Sequence, residues 1–340
     1  MIVALIHSLK GTLPESPRVP QDLAAEYQDD REIEALQDAI RSNGFETLLL
    51  PCDLELPSKL QRHHVEMAFN VAEGWGGRGR ESFVPALLDM FAIPYTGSDA
   101  LTLGVSLDKA LAKAIAVSHG VATPPYLKVE SVDALQAMDL SFPLFVKPNC
   151  EGSSMGIGEG ALVKDHDQLR RAVTRILERY REPALVEQFM AGREFTVGLL
   201  GNGHELRAFP ILEIVLPQGV QYYPYERKAE HARELRCPAE IPEDVAGEMR
   251  RMAIVVYRAL ECRDFARVDF RADEQGRPHF LEINPLPGLH PESSLFPQQA
   301  YAAGLSYQEL IGRILEATTR RCRLEKTRTG RLTTDVGHRS

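Results

Sequence analysis

Two short runs of alternating apolar and polar residues lie close together in the C-terminal third of the chain. The first run spans residues 267–270, the second spans residues 280–284, and a polar segment that ends at Gly276 lies between them. Period-two alternation on both sides of a glycine-containing turn predicts a β-hairpin. Because alternation is the pattern of strands that bury one side only, one face of this hairpin should be polar and the other should belong to the core.

The register of the hairpin follows from the position of its turn. With the turn centred between residues 275 and 276, Asp269 lies opposite Glu282 and Arg267 lies opposite Asn284. These four side chains share the polar face, because alternate residues of a strand point the same way. The face predicted to be core carries Val268, Phe270, Leu281 and Ile283.

The polar face has the composition of a metal site. Two carboxylates directly opposite each other repel by roughly 0.2–1 kcal/mol, and a cation between them removes that cost. Asp269, Glu282 and the amide oxygen of Asn284 are hard ligands of the kind that Mg²⁺ or Mn²⁺ prefers. The alternative is an exposed polar face on which Arg267 neutralises the acids. The Pro-Leu-Pro-Gly sequence at residues 285–288 favours the metal site, because such a rigid loop presents backbone N–H groups near that face.

Hydrophobic patterning over the rest of the chain alternates between strands and helices, which predicts the α/β class. Strands are predicted at residues 2–6, 47–50, 65–71, 142–148 and 185–190, and amphipathic helices at residues 33–40, 84–91, 165–180 and 307–317. From Arg320 onward the sequence is polar and basic without an apolar period, which predicts a disordered tail.

Composition narrows the class of protein without identifying it. A chain of 340 residues is long enough for two or three domains, and its net charge of −9 argues against a general nucleic-acid partner. The five cysteines include no C-x-x-C pair, which indicates free thiols in a reducing compartment. The N-terminal apolar run is too short for a signal peptide and no apolar span has membrane length, so we expect a cytoplasmic protein with no membrane partner.

Two glycine-rich loops are candidates for ligand binding. The loop at residues 72–81 contains four glycines, which suit close approach of the backbone to a ligand but also a plain flexible connection. The loop at residues 151–158 follows Lys147 and supplies backbone N–H groups and the hydroxyls of Ser153 and Ser154, which suit a triphosphate. It lacks the G-K-[ST] of a Walker A motif.

Four motifs together resemble those of ATP-grasp ligases, and most closely the D-alanine–D-alanine ligase family. They are I-P-Y-T-G-S at residues 93–98, V-K-P-x-x-x-G-S-S-x-G at 146–156, V-E-Q-F-M-x-G-R-E-F-T-V at 186–197 and E-I-N-x-L-P-G at 282–288. The motifs occur in the order of the family, and the resemblance extends from about residue 70 to about residue 318.

The resemblance implies an ATP-grasp fold with an N-terminal Rossmann-like (pre-ATP-grasp) domain. We expect this α/β domain at residues 1–100, a central ATP-grasp subdomain at residues 101–185 and a C-terminal ATP-grasp subdomain with the metal site at residues 186–320. Residues 321–340 are expected to form the disordered tail.

ATP and Mg²⁺ (or Mn²⁺) are the cofactors that the resemblance implies. Nucleotide-binding roles are expected for Lys109 on the α-phosphate, Lys147 on the phosphates, Ser153 and Ser154 in the phosphate loop, Glu187 on the adenine amino group, the backbone of Gln188 and Met190 along the ring edge, Glu194 on the ribose hydroxyls and Lys228 on the γ-phosphate.

The chemistry implied by the resemblance is peptide-bond formation through an acyl phosphate, with two small amino-acid-like molecules as substrates. Arg267 and the N–H of Gly288 would stabilise the tetrahedral oxyanion, while Ser153 and Lys228 would lie at the reaction centre. Either Ser293 or Ser294 would hold the carboxylate of the second substrate. Such an activity belongs to peptidoglycan synthesis and cell wall biogenesis, and the sequence leaves the oligomeric state open, a homodimer included.

Two departures from the family pattern concern the first substrate. The N-terminal stretch whose glutamate holds the first substrate's ammonium is absent, and Ala229 stands where the family has a tyrosine. Glu73 or Glu81 is expected to take over the ammonium-binding role. A ligase of the same mechanism acting on a different amino acid, peptide or hydroxy acid is therefore an alternative to D-alanyl-D-alanine synthesis. A non-catalytic nucleotide-binding protein is a further alternative.

Overall fold

Three β-sheets divide the computed structural model of the chain into three parts. The structure describes residues 1–10, 26–152, 155–158, 160–217, 219–222 and 234–329. The strands are β1 (Ile2–His7), β2 (Glu46–Pro51), β3 (Met67–Asn70), β4 (Tyr126–Val129), β5 (Leu144–Pro148), β6 (Leu162–Val163), β7 (Ala184–Gln188), β8 (Glu194–Leu200), β9 (Arg207–Ala208), β10 (Leu212–Val215), β11 (Glu234–Arg236), β12 (Phe265–Ala272) and β13 (Pro278–Asn284).

Helices cover these sheets and connect them. The α-helices are α1 (Asp30–Ser42), α2 (Leu56–Arg62), α3 (Phe83–Met90), α4 (Ala100–Leu107), α5 (Lys109–Ser118), α6 (His166–Arg179), α7 (Glu243–Ala259), α8 (Leu295–Ala302) and α9 (Tyr307–Thr329). Short 3-10 helices lie at Arg80–Ser82, Val132–Ala137 and Gly203–Glu205. In the part of the chain that the structure describes, no helix is both long and apolar enough to cross a membrane.

The first sheet is parallel, in the order β2-β1-β3. Helix α1 covers one side of it and begins at Asp29, whose side chain accepts a hydrogen bond from the N–H of Glu32. The predicted apolar face of α1 is confirmed, since Leu36 and Ile40 are fully buried against Val3 and Leu5. The carboxyl ends of the parallel strands meet at one edge, and the loop after β3 leaves from that edge.

The second sheet is antiparallel, in the order β4-β7-β5-β6, with α6 packed against it. Strand β7 runs to Gln188 and pairs with both of its neighbours in this sheet. A boundary between residues 185 and 186 would cut β7, so the central part extends to Gln188 and the C-terminal part begins after it.

The third sheet has the order β11-β10-β8-β12-β13, and β9 pairs with the outer part of β8. Helix α7 packs on it, and so does α5, which lies in the expected central subdomain by sequence. Ala112 and Ala116 of α5 share one core cluster with Val268 and Phe280 of the hairpin. Helix α5 therefore lies between the second and third sheets, and side chains from its first turn can contact both.

The predicted hairpin forms, with one change of register. Asp269 lies opposite Glu282 and Arg267 lies opposite Asn284, as the sequence predicts. After Asp269 the register shifts, and Phe270 faces Phe280. This bulge turns Leu281 away from the core, where Phe280 takes its place, and Leu281 lines a cavity instead. The prediction of Leu281 as a core residue is therefore wrong.

Helix α9 corrects the expectation of a disordered tail beginning at residue 321. The helix continues to Thr329, and Arg321 binds the carboxylate of Asp264 through Nε at 3.0 Å and Nη2 at 2.8 Å. Arg321 Nη2 also donates to the carbonyl of Tyr95. These contacts attach the helix to the segment before α4. Because the contacts of the last turns are polar, the amphipathic pattern of the sequence ends before the helix does.

Asp264 is the buried centre of these contacts. Its carboxylate also accepts hydrogen bonds from the Gly97 N–H, the Thr318 hydroxyl and the Asn202 amide, and its side chain is inaccessible to solvent. Three segments distant in sequence thus converge on one charged group, and removal of the carboxylate takes a hydrogen-bond partner from each of them.

The Asp264→Ala variant should be less stable by about 3–5 kcal/mol, because it leaves the Arg321 guanidinium buried without its partner. Thermal unfolding should show Tm lowered by at least about 5 °C. Asp133→Ala, at an exposed aspartate, is the matched control and should change the free energy of unfolding by less than about 0.5 kcal/mol. Equal Tm values for the two variants would contradict the central role of Asp264.

Candidate active site

Two adjoining cavities lie where the three parts of the chain meet. The first cavity lies between the second and third sheets, and the second lies between the third sheet and the loops of the first. Lys109, Gly152 and Glu282 line both cavities. A molecule in one cavity can therefore contact a molecule in the other at these three residues.

The first cavity contains most of the residues predicted to bind nucleotide. Predicted residues that line it are Lys109, Lys147, Glu187, Gln188, Met190 and Glu194. Apolar side chains, including Phe145, Ile214 and Leu281, form much of the remaining wall. An apolar slot with a few charged groups is a typical site for a flat heterocycle that carries a charged tail.

Glu187 lines the first cavity and is buried between two lysines. Its Oε1 lies 2.8 Å from Lys147 Nζ and its Oε2 lies 3.0 Å from Lys113 Nζ. Burial alone would raise the pKa of Glu187, but the two lysines outweigh it and hold that pKa below its ordinary value. Glu187 is therefore an anion. Lys147, which is expected to bind the phosphates, contacts Glu187 in this structure.

Lys113 was not among the predicted site residues. It is completely buried, and its Nζ also donates to the Thr123 hydroxyl and the Phe280 carbonyl. Burial lowers the pKa of Lys113 to about 8, against the opposing effect of Glu187. The signal that could have identified it is its spacing, because Lys113 follows Lys109 by four residues and shares its helix face.

Arg271 was also missed, and it lines the first cavity beside Glu194. Its guanidinium lies 4.7 Å from the centre of the Phe189 ring, and Nη1 lies 3.6 Å from Glu194 Oε2. Arg271 follows Asp269 by two residues on β12, so period-two spacing would have placed it on the hairpin's polar face. The bulge after Asp269 preserves that orientation for β12 because the extra residue lies on β13.

Lys109 and Glu282 meet at the junction of the cavities, with Nζ and Oε2 separated by 3.4 Å. Burial would raise the pKa of Glu282, but Lys109, Lys147 and Arg267 lower it to about 2. Glu282 is therefore negatively charged over the physiological pH range.

The Asp269 carboxylate is held in place by its hairpin neighbours. Arg267 binds it through Nε at 2.9 Å and Nη2 at 2.8 Å, and Asn284 Nδ2 donates to Oδ2 at 3.1 Å. The side chains of Asp269, Arg267 and Glu282 are no more than 21 % exposed, so the alternative of an exposed polar face does not describe them. The described residues include no group of three or more His, Cys, Asp or Glu side chains arranged to hold a metal ion.

The loop after β13 forms one wall of the second cavity. A Cβ on Gly288 would lie 2.8 Å from Ser294 Oγ, so a side chain at this position would force the Ser294 hydroxyl to move. Ser294 Oγ accepts a hydrogen bond from the His290 N–H and thereby closes the loop. The Ser293 hydroxyl has no hydrogen bond to any residue that the structure describes, and Ser293 lines the cavity.

Carboxylates dominate the opposite wall of the second cavity, which is formed by the N-terminal part of the chain. They include Glu73 and Glu81, which the sequence proposed, and Glu26, Asp29 and Glu32, which it did not. The polar run before α1 is not predicted from the sequence to form a site. Its acidic residues lie at the carboxyl edge of the first sheet, which was a usable signal for a site.

Glu32 connects α1 to the loop that carries Gly288. Its Oε1 accepts a hydrogen bond of 3.1 Å from the N–H of Leu289. Burial raises the pKa of Glu32 to about 7, although this hydrogen bond opposes the change. The contact fixes the loop that closes the second cavity.

Three predicted site residues, Ser153, Ser154 and Lys228, lie outside the described residues, as does Ala229. Lys109 binds the carbonyl of Glu151 at the start of the Gly/Ser loop. The loop therefore begins at the junction of the cavities.

Comparison with known proteins identifies relatives over most of the chain. The family model "D-ala D-ala ligase C-terminus" matches residues 115–316. The D-alanine–D-alanine ligase of Bordetella avium is 36% identical over 283 residues, which cover 82% of this chain and 86% of that protein. The D-alanine–D-alanine ligase of Pelotomaculum thermopropionicum is 32% identical over 306 residues, 86% of this chain and 92% of that protein.

Solved structures share the fold at lower sequence identity. The D-alanine–D-alanine ligase of Bacillus anthracis complexed with ATP superposes with a TM-score of 0.73 at 23% identity, covering 96% of this chain and 99% of that chain. The VanG D-Ala:D-Ser ligase of Enterococcus faecalis gives a TM-score of 0.73 at 20% identity, covering 93% and 99%. The expected ATP-grasp fold is thereby confirmed.

The match of the family model to more than half of the chain and the identity to full-length relatives lead to the same assignment. This chain belongs to the D-alanine–D-alanine ligase family, a family of ATP-dependent carbon–nitrogen ligases with the ATP-grasp fold.

Proposed function

We propose that the chain joins two small amino acids through a peptide bond at the expense of ATP, with D-alanine or a related amino acid as substrate. The observation that carries this proposal is the meeting of the two cavities at Lys109 and Glu282. One cavity suits a nucleotide, and the other is polar and suits amino acids. Their shared wall is where a terminal phosphate and a substrate carboxylate would meet.

The reaction has two steps. A carboxylate oxygen of the first substrate attacks the γ-phosphorus of ATP, the bond to ADP breaks, and an acyl phosphate forms. The neutral amine of the second substrate then attacks the acyl carbon, inorganic phosphate leaves, and the amine loses a proton. The protein positions the reactants and stabilises negative charge, so no protein nucleophile is required.

The hairpin residues fit a hard divalent cation. Glu282 is anionic and Asp269 is fixed beside Asn284, so these three side chains would hold Mg²⁺ with oxygen ligands. When bound, Mg²⁺ neutralises charge on the phosphate oxygens. The chain supplies further positive charge through Lys109 and Lys147 on the nucleotide side.

Arg267 and the Gly288 N–H are proposed to stabilise the oxyanion that forms when the amine attacks. Both residues line the second cavity, and Arg267 is oriented by its two hydrogen bonds to Asp269. A fixed donor is more effective than a mobile one, because no reorganisation is required during the reaction.

The Glu282→Gln variant should form ADP at least about 100-fold more slowly than the wild type, because it removes a charge needed at the transferring phosphate. The measurement is substrate-dependent ADP release from Mg·ATP. Glu274→Gln, in the exposed turn of the same hairpin, is the control and should retain normal turnover. Near-normal turnover of Glu282→Gln would refute the metal assignment.

Amino-acid-dependent phosphate release should identify the substrates. We expect release with D-alanine or with another D-amino acid, accompanied by a dipeptide detected by mass spectrometry, and none with ATP alone. The panel should contain D- and L-amino acids and D-hydroxy acids. Binding of ATP without phosphate release for any member of the panel would favour a nucleotide-binding protein.

Ser293 and Ser294 should differ in their effects. Ser293→Ala should raise KM for the second substrate about tenfold and leave KM for ATP unchanged, because the free hydroxyl of Ser293 is proposed to bind the substrate carboxylate. Ser294→Ala should instead lower kcat, because it releases the His290 N–H that closes the loop. The opposite pattern in steady-state kinetics would assign the carboxylate to Ser294.

A further inference from the structure

The loop between β3 and α3 places two buried carboxylates in the second cavity. Glu73 is 8% exposed and Glu81 is 7% exposed, and both line the cavity. Across the described ranges, neither carboxylate has a hydrogen bond or an ion pair within 4 Å. Burying an unpaired carboxylate is costly, so native proteins rarely keep two of them without a cationic partner.

Arg80, the buried cation in the same loop, is already engaged elsewhere. It donates through Nη2 to Glu26 Oε2 at 2.7 Å and through Nη1 to the Cys150 carbonyl at 2.8 Å. Its Nη2 also lies 3.2 Å from a carboxylate oxygen of Glu151. One guanidinium thus serves two other carboxylates directly. Its charge also opposes the rise in the pKa of Glu73 and Glu81, but Arg80 forms no hydrogen bond or ion pair with either of them.

The other cations at the cavity also have acidic partners. Lys10 pairs with Asp29, Lys109 with Glu282 and Arg267 with Asp269. These pairs take up the positive charge that could otherwise balance the loop. A ligand is then the remaining source of positive charge for this wall within the described part of the chain.

The loop is held in one conformation, so the two carboxylates are preorganised. Gly74 has φ +64°, and a Cβ there would lie 2.3 Å from the Arg80 carbonyl oxygen. The Tyr27 hydroxyl donates to the Gly74 carbonyl at 2.7 Å. The segment therefore closes on itself between Glu73 and Arg80, which brings Glu73 and Glu81 to the same wall.

The electrostatic surroundings of Glu73 and Glu81 favour a bound cation. Burial and the carboxylates of neighbouring glutamates raise the pKa of Glu73 well above its ordinary value, and burial raises that of Glu81 to about 7. Without a bound cation, the raised pKa values favour the protonated forms of both carboxyl groups. A cationic ligand would displace those protons and bind with the full charge of both groups.

The chemistry of ligation indicates which substrate supplies the cations. The amine of the second substrate must be neutral to attack, and a carboxylate wall would favour its protonated form. The first substrate keeps its ammonium throughout the reaction. Glu81 lies within electrostatic reach of Lys109, at the junction where the first substrate's carboxylate would receive phosphate.

We propose that the first substrate is a diamino acid, whose α-ammonium binds one of Glu73 and Glu81 and whose side-chain ammonium binds the other. This proposal rests on the proposed ligase function and names the substrate class for its first site. A single ammonium would balance one carboxylate and leave the second buried and unpaired.

The experiment compares each diamino acid with a neutral amino acid of nearly the same shape. D-ornithine is paired with D-norleucine and D-2,4-diaminobutyrate with D-norvaline, and the L-enantiomers form a second set. The full chain receives Mg·ATP and D-alanine, ADP release gives kcat/KM, and mass spectrometry shows whose carboxylate has been joined. The variants are Glu73→Gln and Glu81→Gln, with Glu34→Gln on the exposed side of α1 as the control.

The wild type should prefer the diamino member of a pair by at least about tenfold in kcat/KM, with its carboxylate in the new bond. Glu73→Gln and Glu81→Gln should each reduce that preference about tenfold or more without changing KM for ATP, whereas Glu34→Gln should retain it. Equal use of both members, or a preference that survives both variants, would overturn the proposal and leave the ligase function standing. So would incorporation of the diamino acid through its amine only.

A second measurement separates this proposal from the function on which it rests. If no amino acid supports ADP release, the proposed function fails, and calorimetry then tests the cavity alone. Binding of D- or L-ornithine at least about tenfold tighter than the matching norleucine, and lost in Glu73→Gln, would support the diamino-acid site. Equal or absent binding of both would overturn it.

Discussion

The antiparallel pairing of β12 with β13 is the constraint on which the candidate active site depends. It puts Asp269 beside Glu282 and Arg267 beside Asn284, so that two anions, one cation and one amide occupy a single small surface. Neighbouring basic residues offset the negative charge of this surface. Lys109 reaches Glu282 from α5, Arg267 fixes Asp269, and Lys147 is close enough to contribute to the low pKa of Glu282. A slip of one residue in the pairing would turn these groups into the core.

The polar face of the hairpin could be predicted because it depends on short-range information only. Alternation fixes which side chains share a face, and the glycine-containing turn fixes the register within one residue. Leu281 could not be predicted, because alternation does not show where a bulge inserts an extra residue, and here the extra residue lies on β13. The contact of Arg321 with Asp264 could not be predicted either. The two residues are distant in sequence, and a polar contact leaves no hydrophobic periodicity in the sequence.

The residues of the candidate site divide in the same way. Motif positions such as Glu187 and Glu194 could be named from the sequence because the motif at residues 186–197 resembles that of the family. Glu26 and Glu32 could not, since their place in the second cavity depends on how the first sheet packs against the loop after β13. Lys113 could not be identified from the sequence for a different reason. A lysine within a helix is ordinarily solvated, and only the tertiary position of α5 buries it.

Helix α5 has a consequence for how such an enzyme can diversify. Lys109 and Lys113 are one turn apart on the same face, about 6 Å along the axis, and they contact Glu282 and Glu187, which both line the first cavity. A rotation or shift of α5 would disturb both contacts together, so the helix cannot be altered to suit a new amino acid without also altering the proposed nucleotide site. The loop between β3 and α3 lines the second cavity alone. Evolutionary change in substrate preference can therefore accumulate at Glu73 and Glu81, while Arg80 keeps the loop attached to Cys150 and Glu151 beside the first cavity.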